Sequence, residues 1–480
     1  MVQQSEGAPG STVSIRVRGG ISITQSNEPL YVIDGFPSED GMASLDPAEI
    51  ETIDVLKDAS ATAIYGARGA NGVVVISTKN GSKSHGKATV TFDSYVGFKT
   101  LAKKLDVLSP YEFVRLDYER TLWRMSTGDA GADGMTSWEK RYGKYSDIEA
   151  NYANRPGINW QDEALGRTAL TQNYRVAVSG KTEKMNYSLA YSFYNEEGAM
   201  VYSGTKKHNI SFNMNHEVNK WLTVNSRISY DQRRVEGMGT SGDSDRFNKM
   251  QHILQYRPTI GIQGTDAELL AGEDPILADD SGNVMQNPLI SAAEEINDRE
   301  WRTFQANGGA TIKLLKGLSF RSTVGMLYQT RRNDVFYGAE SQTAKRSSIK
   351  GTITNLENNS FQTSNVLTYA WNNKIHDITA MVGHEFISKW ARSFSAGATQ
   401  FPNDEIGLGD LSLGTPSTPT SSENYDDKLL SFFARVNYSL LDKYLFTASV
   451  RADGSSKFGK NNKWGYFPAF SAAWRLSEEK

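Results

Sequence analysis

Apolar and polar side chains alternate with a period of two along most of the chain from about residue 88 onward. The alternation is clearest in residues 187–193, 209–214, 222–230, 318–328 and 430–440. This period is typical of β-strands whose two faces meet different surroundings. The alternating runs are about 9–12 residues long, which is close to the length of a tilted strand that crosses a bilayer. The pattern predicts about twelve antiparallel strands, the last of them Tyr466–Leu476.

The segments between these strands alternate strictly between short and long. Short turns are predicted at 180–184, 219–220, 316–317, 372–374 and 442–443. Long polar segments, rich in Gly, Pro, Asp and Asn, are predicted at 99–170, 195–207, 231–302, 329–360, 387–428 and 453–463. An up-and-down membrane barrel has short turns on one side and long loops on the other, so this alternation favours such a barrel over a soluble sandwich.

Aromatic residues lie near both kinds of connection. Trp221, Trp371 and Tyr444 are beside short turns, and Tyr230, Tyr328, Trp390 and Trp464 are beside long ones. Two rings of aromatic side chains are expected where strands cross the two membrane interfaces. The alternative is that these side chains form the core of a soluble sandwich. In a membrane, an open sheet of about twelve strands would leave two unpaired edges in lipid. We therefore expect either a smaller closed barrel or a fragment of a larger one.

Residues 1–82 have a different pattern. Ile15–Arg18, Leu30–Ile33 and the fully apolar Val73–Ser77 are predicted strands, and Asp46-Pro47 is a predicted helix start. The sequence therefore predicts a compact α+β domain at 1–82, followed by a strand array at 83–480 that is linked to it by the polar stretch 80–87.

Charge and composition restrict the partners. The formal net charge is −3 and the chain has no cysteine, so nothing indicates a nucleic-acid partner, a disulfide or a thiolate metal site. Five arginines fall on the polar phase of their strands: Arg175, Arg227, Arg321, Arg435 and Arg451. Residues 14–81 carry more acidic than basic side chains. Either these arginines hold an acidic internal domain by ion pairs, or they are solvated in a water-filled lumen.

The sequence offers little support for catalysis or for a cofactor. Gly66, Gly69 and Gly72 precede the strand Val73–Ser77, whereas a phosphate-binding loop follows its strand and opens a helix. The six histidines, at positions 85, 208, 216, 252, 376 and 384, do not cluster as metal ligands. There is no Gly-x-Ser-x-Gly elbow for a hydrolase nucleophile. The acidic stretch 265–300 fits a solvated surface loop better than a calcium-binding or partner-binding loop. We therefore expect no enzyme activity, no metal site and no cofactor.

Two groups of motifs carry a family resemblance. Residues 14–19 (SIRVRG), 29–35 (PLYVIDG) and 50–72 (IETIDVLKDASATAIYGARGANG) resemble the plug of a TonB-dependent outer-membrane receptor of the SusC/RagA family. Residues 451–459 (RADGSSKFG) and 464–468 (WGYFP) resemble barrel motifs of that family. The resemblance extends over essentially the whole chain. We refer to residues 1–82 as the plug. The plug signature comprises Arg16, Arg18, Gly19, Asp34, Gly35, Asp58, Tyr65, Gly66, Arg68, Gly69, Asn71 and Gly72.

The resemblance implies an energised importer in the cell outer membrane and not an enzyme. In such receptors a SusD-like surface lipoprotein helps to capture a glycan or peptide, and the TonB-ExbB-ExbD complex pulls on an N-terminal TonB box. Family barrels resemble the plugged 22-stranded type. We therefore expect this chain to be a fragment that lacks the N-terminal region and about ten C-terminal strands. The alternatives are a passive porin or surface-binding barrel, and a soluble all-β glycan-binding protein.

The resemblance assigns no ligand-contacting residue, so it leaves the substrate site unknown. Gly66, Gly69 and Gly72 of the plug motif 50–72 are expected to let the backbone turn tightly into the buried strand Val73–Ser77. Asp58, Arg68 and Asn71 are expected to hold the plug to itself or to the barrel.

Overall fold

The computed structural model describes residues 2–4, 7–10, 13–17, 27–38, 41–57, 63–84, 86–128, 134–237, 249–272, 287–417 and 421–479. These residues form a small mixed sheet, a two-stranded ribbon and one large antiparallel sheet. Several long connections between strands of the large sheet contain helices. The expected fold class, an α+β plug followed by antiparallel barrel strands, is confirmed.

The described part of the plug contains six strands: β1 (Val2–Gln4), β2 (Val13–Ile15), β3 (Leu30–Ile33), β4 (Phe36–Ser38), β5 (Ile50–Leu56) and β6 (Val73–Thr78). β1 and β2 form the ribbon, and the other four strands form a sheet in the order β4-β3-β6-β5, in which β3 and β6 are parallel. The plug core contains Tyr31, Ile33, Val74 and Ile76 of the central strands and Leu45 of the connection between β4 and β5.

The sequence predicts the centre of the plug better than its periphery. The strand Leu30–Ile33 is confirmed, and Val73–Ser77 extends by one residue to Thr78. The segment predicted as a strand at Ile15–Arg18 is instead β2, which ends at Ile15. The helix expected at Asp46-Pro47 is a short 3-10 helix, Pro47–Glu49, and the Asp46 carboxylate caps its start by accepting from the Ala48 amide at 2.9 Å. A second 3-10 segment, Ala63–Gly69, precedes β6.

The large sheet begins where the linker ends. Its strands are β7 (Thr89–Lys99), β8 (Ala169–Lys181), β9 (Met185–Glu197), β10 (Gly204–Asn219), β11 (Leu222–Glu236), β12 (Glu295–Leu315), β13 (Leu318–Tyr337), β14 (Lys350–Asn372), β15 (His376–Thr399), β16 (Thr415–Pro416), β17 (Ser421–Leu440), β18 (Tyr444–Ser455) and β19 (Trp464–Trp474). Each long strand pairs antiparallel with the next, and the two-residue β16 lies beside β15. About twelve long strands were expected from the alternation, and this is confirmed. Among the described residues the sheet is open, with β7 and β19 at its edges, so it is not a smaller closed barrel.

Several strands are much longer than the alternation predicts. β12, β13, β14, β15 and β17 span 20 to 24 residues, so the loops predicted at 231–302, 329–360 and 387–428 are too long. Tyr328 and Trp390 lie inside strands and not at their ends. The reason is physical: apolar side chains alternate with polar ones only where one face meets an apolar medium. Beyond the aromatic residues both faces are polar, with Arg332 and Asp334 on the outer side of β13 and Arg331 and Asn333 on the other, and the sequence pattern disappears while the strand continues.

The two faces of the large sheet have opposite chemistry. One face exposes large apolar side chains, for example Ile228, Phe361, Val382 and Phe432. We call this the outer face. The other face, the inner face, buries polar side chains, including Asn209, Ser211, Asn213, Arg227, Asn307, Ser431 and Arg451. An apolar exterior around a polar interior is the arrangement of a membrane barrel and the reverse of a soluble domain.

The long connections hold α1 (Pro110–Thr127), α2 (Gly134–Tyr142), α3 (Ile148–Tyr152), α4 (Trp160–Leu165), α5 (Lys249–Gln255), α6 (Asp266–Ala271), α7 (Pro288–Glu294) and α8 (Gln342–Arg346). Further 3-10 turns lie at Tyr145–Asp147, Gly407–Gly409, Leu411–Leu413 and Leu476–Glu478. Within the described residues, no helix combines the length and the apolar character that crossing a membrane requires.

Two of these connections pack on each other to form what we call the helical cap, which comprises residues 100–128, 134–168, 249–272 and 287–294. Trp160, Ile253, Tyr256 and Leu269 share one buried apolar cluster, and Arg155 pairs with Asp266 at 2.9 Å. Part of the predicted acidic loop is therefore structural, since Asp266 is bound by an arginine. The helical cap was not predicted, because short helices within polar connections have weak apolar periodicity.

Candidate functional site

The plug packs against the inner face of the large sheet through hydrogen bonds. Three β10 side chains donate to plug carbonyls: Lys207 to Ala43 (2.8 Å) and Leu45 (2.7 Å), Asn209 to Ser44 (3.1 Å), and Asn213 to Lys79 (3.2 Å). Side chains at alternate positions of one strand point to the same face. The polar phase of β10 therefore acts as a row of donors for backbone groups that the plug could not otherwise satisfy inside the sheet.

Arg227, on β11, is the centre of the first plug contact. Its guanidinium is buried and donates to Thr78 Oγ1 at 2.7 Å and to Asp34 Oδ2 at 3.2 Å, and reaches Glu49 Oε2 at 3.4 Å. Glu49 also accepts from Ser211 Oγ at 2.5 Å. Asp34 is already fixed within the plug, since it accepts from both the amide and the hydroxyl of Thr78. One buried arginine therefore joins three separate plug segments to the sheet.

The second contact joins the two signature motifs of the sequence. Arg451, at the start of the motif 451–459, is buried and binds Asp453 Oδ1 at 2.7 Å and Glu385 Oε2 at 2.5 Å. The plug segment Ala63–Gly69 packs against β18, and the Cβ position of Gly66 lies against the side chains of Arg451 and Asp453. The plug motif and the barrel motif, which are separated by almost the whole chain, thus form one interface.

Gly66 has a backbone that only glycine adopts readily. Its φ of 60° and ψ of −144° lie outside the regions allowed to residues with a Cβ. An added Cβ would also overlap Asp453 Oδ2 and would lie 2.8 Å from Arg451 Nε. Gly72 is a second such position, since its φ is 95° and its Cβ would lie 2.8 Å from Val17 Cγ1. The expected tight turn into β6 is thus observed at Gly72, while Gly66 serves mainly for close contact with the sheet.

Tyr65 and Arg68 lie on either side of this glycine and both face Glu385. Arg68 Nη1 is 3.9 Å from Glu385 Oε1. Burial lowers the pKa of the Arg68 guanidinium, and the Glu385 carboxylate opposes that shift. Burial raises the pKa of the Tyr65 hydroxyl, and the same carboxylate adds to the increase. Two cations, Arg68 and Arg451, therefore share Glu385 across the interface.

The other signature residues have smaller roles or lie outside the described residues. Asp34 and Gly35 form the tight turn between β3 and β4, with φ values of 50° and 89°. Asn71 Nδ2 donates to the Glu28 carbonyl at 3.4 Å, a contact within the plug. Gly69 is buried in the 3-10 segment, and Arg16 is exposed. Arg18, Gly19 and Asp58 lie outside the described residues, as does His85.

Burial raises the pKa of a further plug side chain, Tyr31, to about 12, and the nearby Glu28 carboxylate contributes through its charge and through a 3.3 Å hydrogen bond. Because this phenol stays neutral, it remains a hydrogen-bond donor at any pH that the cell surface meets. Glu28 also accepts from the Ile15 amide at 3.2 Å. These bonds connect β2 to the central plug sheet.

The sequence left two explanations open for the five inner-face arginines: ion pairs with an acidic internal domain, or solvation in the lumen. The structure differs from one arginine to the next. Arg227 binds acidic plug residues, and Arg451 binds acidic residues of the sheet beneath Gly66. Arg175 pairs with Asp93 of the neighbouring strand at 3.3 Å. Arg435 donates to Asn437 of its own strand, and Arg321 is exposed. The plug is therefore held by particular arginines and not by the whole basic set.

Sequence reasoning missed the acidic partners of these arginines. Glu49 and Glu385 are isolated carboxylates in the sequence, and Thr78 is an ordinary strand end. Only Asp453 has a signal, because it lies two residues after Arg451 on the same strand face. Among the described residues no group of three or more His, Asp or Glu side chains is arranged to hold a metal ion.

Comparison with known proteins shows which families this chain resembles. Residues 1–73 match the family model described as TonB-dependent Receptor Plug Domain, and residues 270–479 match TonB dependent receptor-like, beta-barrel. TonB-dependent receptor P3 of Formosa agariphila is 28% identical over 479 residues, covering 98% of this chain and 44% of that protein. TonB-dependent receptor SusC of Bacteroides thetaiotaomicron is 29% identical over 503 residues, covering all of this chain and 46% of SusC.

A solved structure gives the same result. The RagAB peptide transporter superposes with a TM-score of 0.78 at 25% identity, covering 98% of this chain and 54% of that one. The chain spans about half the length of the curated relatives that it matches. Its plug and barrel matches, together with its likeness to SusC and to RagAB over its whole length, identify the chain as a member of the TonB-dependent receptors of the SusC/RagA type.

Proposed function

We propose that this chain provides the plug and part of the barrel wall of an energised importer in the cell outer membrane. The observation that carries the proposal is the polar plug interface, centred on Arg227 and Arg451. Hydrogen-bonded ion pairs rearrange without exposing apolar surface to water, so a pull on the plug can open a path and the plug can return afterwards. An apolar interface of the same size would resist opening. The function is transport and not catalysis.

The proposal includes the division into a plug, residues 1–82, and a barrel portion, residues 83–480. In a membrane the free edges of β7 and β19 require partner strands, because unpaired backbone groups in lipid are very unfavourable. Energy would come from a TonB-ExbB-ExbD complex that acts on the receptor's N-terminal region. The ligand would be a glycan or peptide oligomer. This ligand class is supported by the likeness to SusC and to the RagAB peptide transporter.

A SusD-like surface lipoprotein is the proposed capture partner. The helical cap offers a surface for it, since α1 exposes Leu116, Leu122 and Trp123 while its buried side contacts α2 and α3. Clustered exposed apolar side chains on an otherwise polar cap are typical of interaction sites. The passive porin remains the alternative, and it differs in needing no energy source.

Deleting tonB in the host is expected to abolish ligand uptake through this receptor while leaving surface binding of ligand intact. The reason is that capture uses the cap and the plug, whereas opening needs mechanical work. The measurement is uptake of a fluorescent oligomer pool, with the receptor's surface level determined in parallel. A tonB-deleted strain that still imports at the normal rate would favour the passive porin.

A further inference from the structure

Two tyrosines and an asparagine form a row across the inner face of β7, β8 and β9. Pairing places Tyr95 of β7 opposite Asn173 of β8, and Asn173 opposite Tyr194 of β9. Asn173 lies two residues before the buried inner-face Arg175, so its side chain points to the inner face, and its two paired neighbours point the same way. We call these three residues the tyrosine row.

The tyrosine row lies between the plug and the helical cap. On its plug side, Tyr194 is opposite Lys207, whose ammonium donates to the carbonyls of Ala43 and Leu45. Toward the long loops, β7 ends at Lys99 and the helical cap begins at the next residue. A ligand that enters the inner space from the long-loop side therefore passes the tyrosine row before it reaches the plug.

The tyrosine row is open to the inner space at its β7 end. The Tyr95 side chain is 54% exposed. Beside it on the same strand, a Cβ added to Gly97 would meet no described atom within 4 Å except Thr171 Cβ, at 3.8 Å. Side chains stand roughly perpendicular to a sheet, so further strands paired with the β7 edge would extend the wall and leave this face accessible.

The polar groups of the row suit a ligand rich in hydroxyl groups. The Asn173 amide forms no hydrogen bond with any residue in the described part of the chain, and it keeps its two donors and its acceptor for a ligand. Tyr194 is held in one orientation, because its hydroxyl donates to Glu196 Oε2 at 2.6 Å. Aromatic faces can stack on the apolar faces of sugar rings, while an amide bonds to their hydroxyl groups.

The charges around the row are neutralised. In the row and the two rows beside it, on β7 to β10, the charged side chains are Asp93, Arg175, Glu196 and Lys207. Arg175 pairs with Asp93 at 3.3 Å. Lys207 Nζ lies 3.6 Å from Asp231 Oδ2. Glu196 pairs with Lys99. The row therefore offers aromatic faces and neutral hydrogen-bonding groups, with little net charge to select an ion.

We propose that Tyr95, Asn173 and Tyr194 form a ligand subsite that binds a neutral oligosaccharide. The subsite rests on the proposed import function and narrows its ligand to an uncharged glycan. Tyr95 and Tyr194 are two strands apart, so their backbones are separated by roughly 10 Å, about the length of a disaccharide. Each tyrosine stacks on one sugar ring, and the Asn173 amide bonds to hydroxyl groups between them.

The backbone around the row favours a saccharide over a peptide. An extended peptide is recognised largely through main-chain hydrogen bonds to a free strand edge. β8 and β9 are each paired on both sides, so their backbone groups are already used within the sheet. Recognition on this face is therefore left to side chains, and these are aromatic rings and an amide.

Tyr95→Ala is expected to weaken binding of a neutral hexasaccharide about tenfold, because one aromatic stacking contact is lost. Asn173→Ala should weaken it about fivefold through lost hydrogen bonds. Tyr95→Phe keeps the ring and should restore binding to within about twofold of the unmodified receptor. The matched control is Tyr174→Ala, which removes a tyrosine next to Asn173 on the outer face and should leave binding unchanged. Titration calorimetry of the purified receptor with maltohexaose, cellohexaose and mannohexaose gives these affinities, and heat-modifiable migration in gels checks that each variant has folded.

Three outcomes would overturn the subsite. These are no binding of any of the three hexasaccharides, equal effects of Tyr95→Ala and Tyr174→Ala, and uncharged hexapeptides that bind more tightly than the saccharides with the same dependence on Tyr95. The test is independent of energy coupling. Binding that depends on Tyr95, without TonB-dependent uptake, would leave the subsite in place and reject the importer. TonB-dependent uptake that is unchanged in Tyr95→Ala and Asn173→Ala would do the opposite.

Discussion

Gly66→Ala is expected to unseat the plug from the sheet and make the outer membrane leaky. The substitution forces an alanine into a backbone conformation that glycine alone adopts readily, at a cost of about 1–3 kcal/mol. Its methyl group also overlaps Asp453 and approaches Arg451 Nε to 2.8 Å. Moving either side chain costs free energy, because both belong to the buried ion-pair cluster with Glu385. The plug segment Ala63–Gly69 must therefore move away from the wall.

Leakiness can be measured as sensitivity to a large antibiotic that an intact outer membrane excludes, with receptor level and heat-modifiable migration checked first. Gly86→Ala is a matched control. Gly86 also has a positive φ, 77°, but nothing lies within 4 Å of an added Cβ. It bears the backbone strain without the steric overlap. Equal sensitivity of both variants, or none in Gly66→Ala, would show that the contact between the two motifs does not hold the plug in place.

The sequence predicts parts of this architecture that depend on local chemistry. Alternation located the apolar band of the sheet, because lipid imposes it residue by residue. Turns such as Asp34-Gly35 and the strand β6 were also predictable, because their conformations depend on neighbouring residues. The strand ends were not predictable. Beyond the apolar band, on the long-loop side, β13 continues through Arg332 and Asp334 as far as Tyr337, and no alternation of apolar and polar residues indicates that the strand goes on.

The side chains that bind these arginines at the plug interface could not be predicted from the sequence. Arg227 and Arg451 were identified as inward-facing, but their carboxylate partners come from distant segments. Glu49 is 178 residues from Arg227 in sequence, and Glu385 is 66 residues from Arg451. Whether an inner arginine binds plug, wall or solvent is decided by where the plug packs. Arg435 shows this, since it has the same phase as Arg451 and binds only an asparagine on its own strand among the described residues.

Arg227→Met is expected to lower the free energy of plug opening by about 3–5 kcal/mol, the usual effect of removing one partner from a buried ion pair. The loss arises mainly because Glu49, which is only 3% exposed, is left buried without its cation. Asp34 and Thr78 lose a shared donor as well. Amide hydrogen exchange in β3 and β6 reports this opening directly.

A double-mutant cycle separates the ion pair from the rest of the contact. Adding Glu49→Gln to Arg227→Met should recover part of the loss, because no uncompensated charge then remains buried. Arg435→Met is the control: it removes an inner-face arginine that has no plug partner among the described residues, and should change β6 exchange by less than about 0.5 kcal/mol. Strictly additive effects of the Arg227 and Glu49 substitutions would mean that the pair does not couple plug to wall. The hydrogen bonds from β10 would then hold the plug against the sheet, and the polar plug interface would be centred on Lys207 and Asn209.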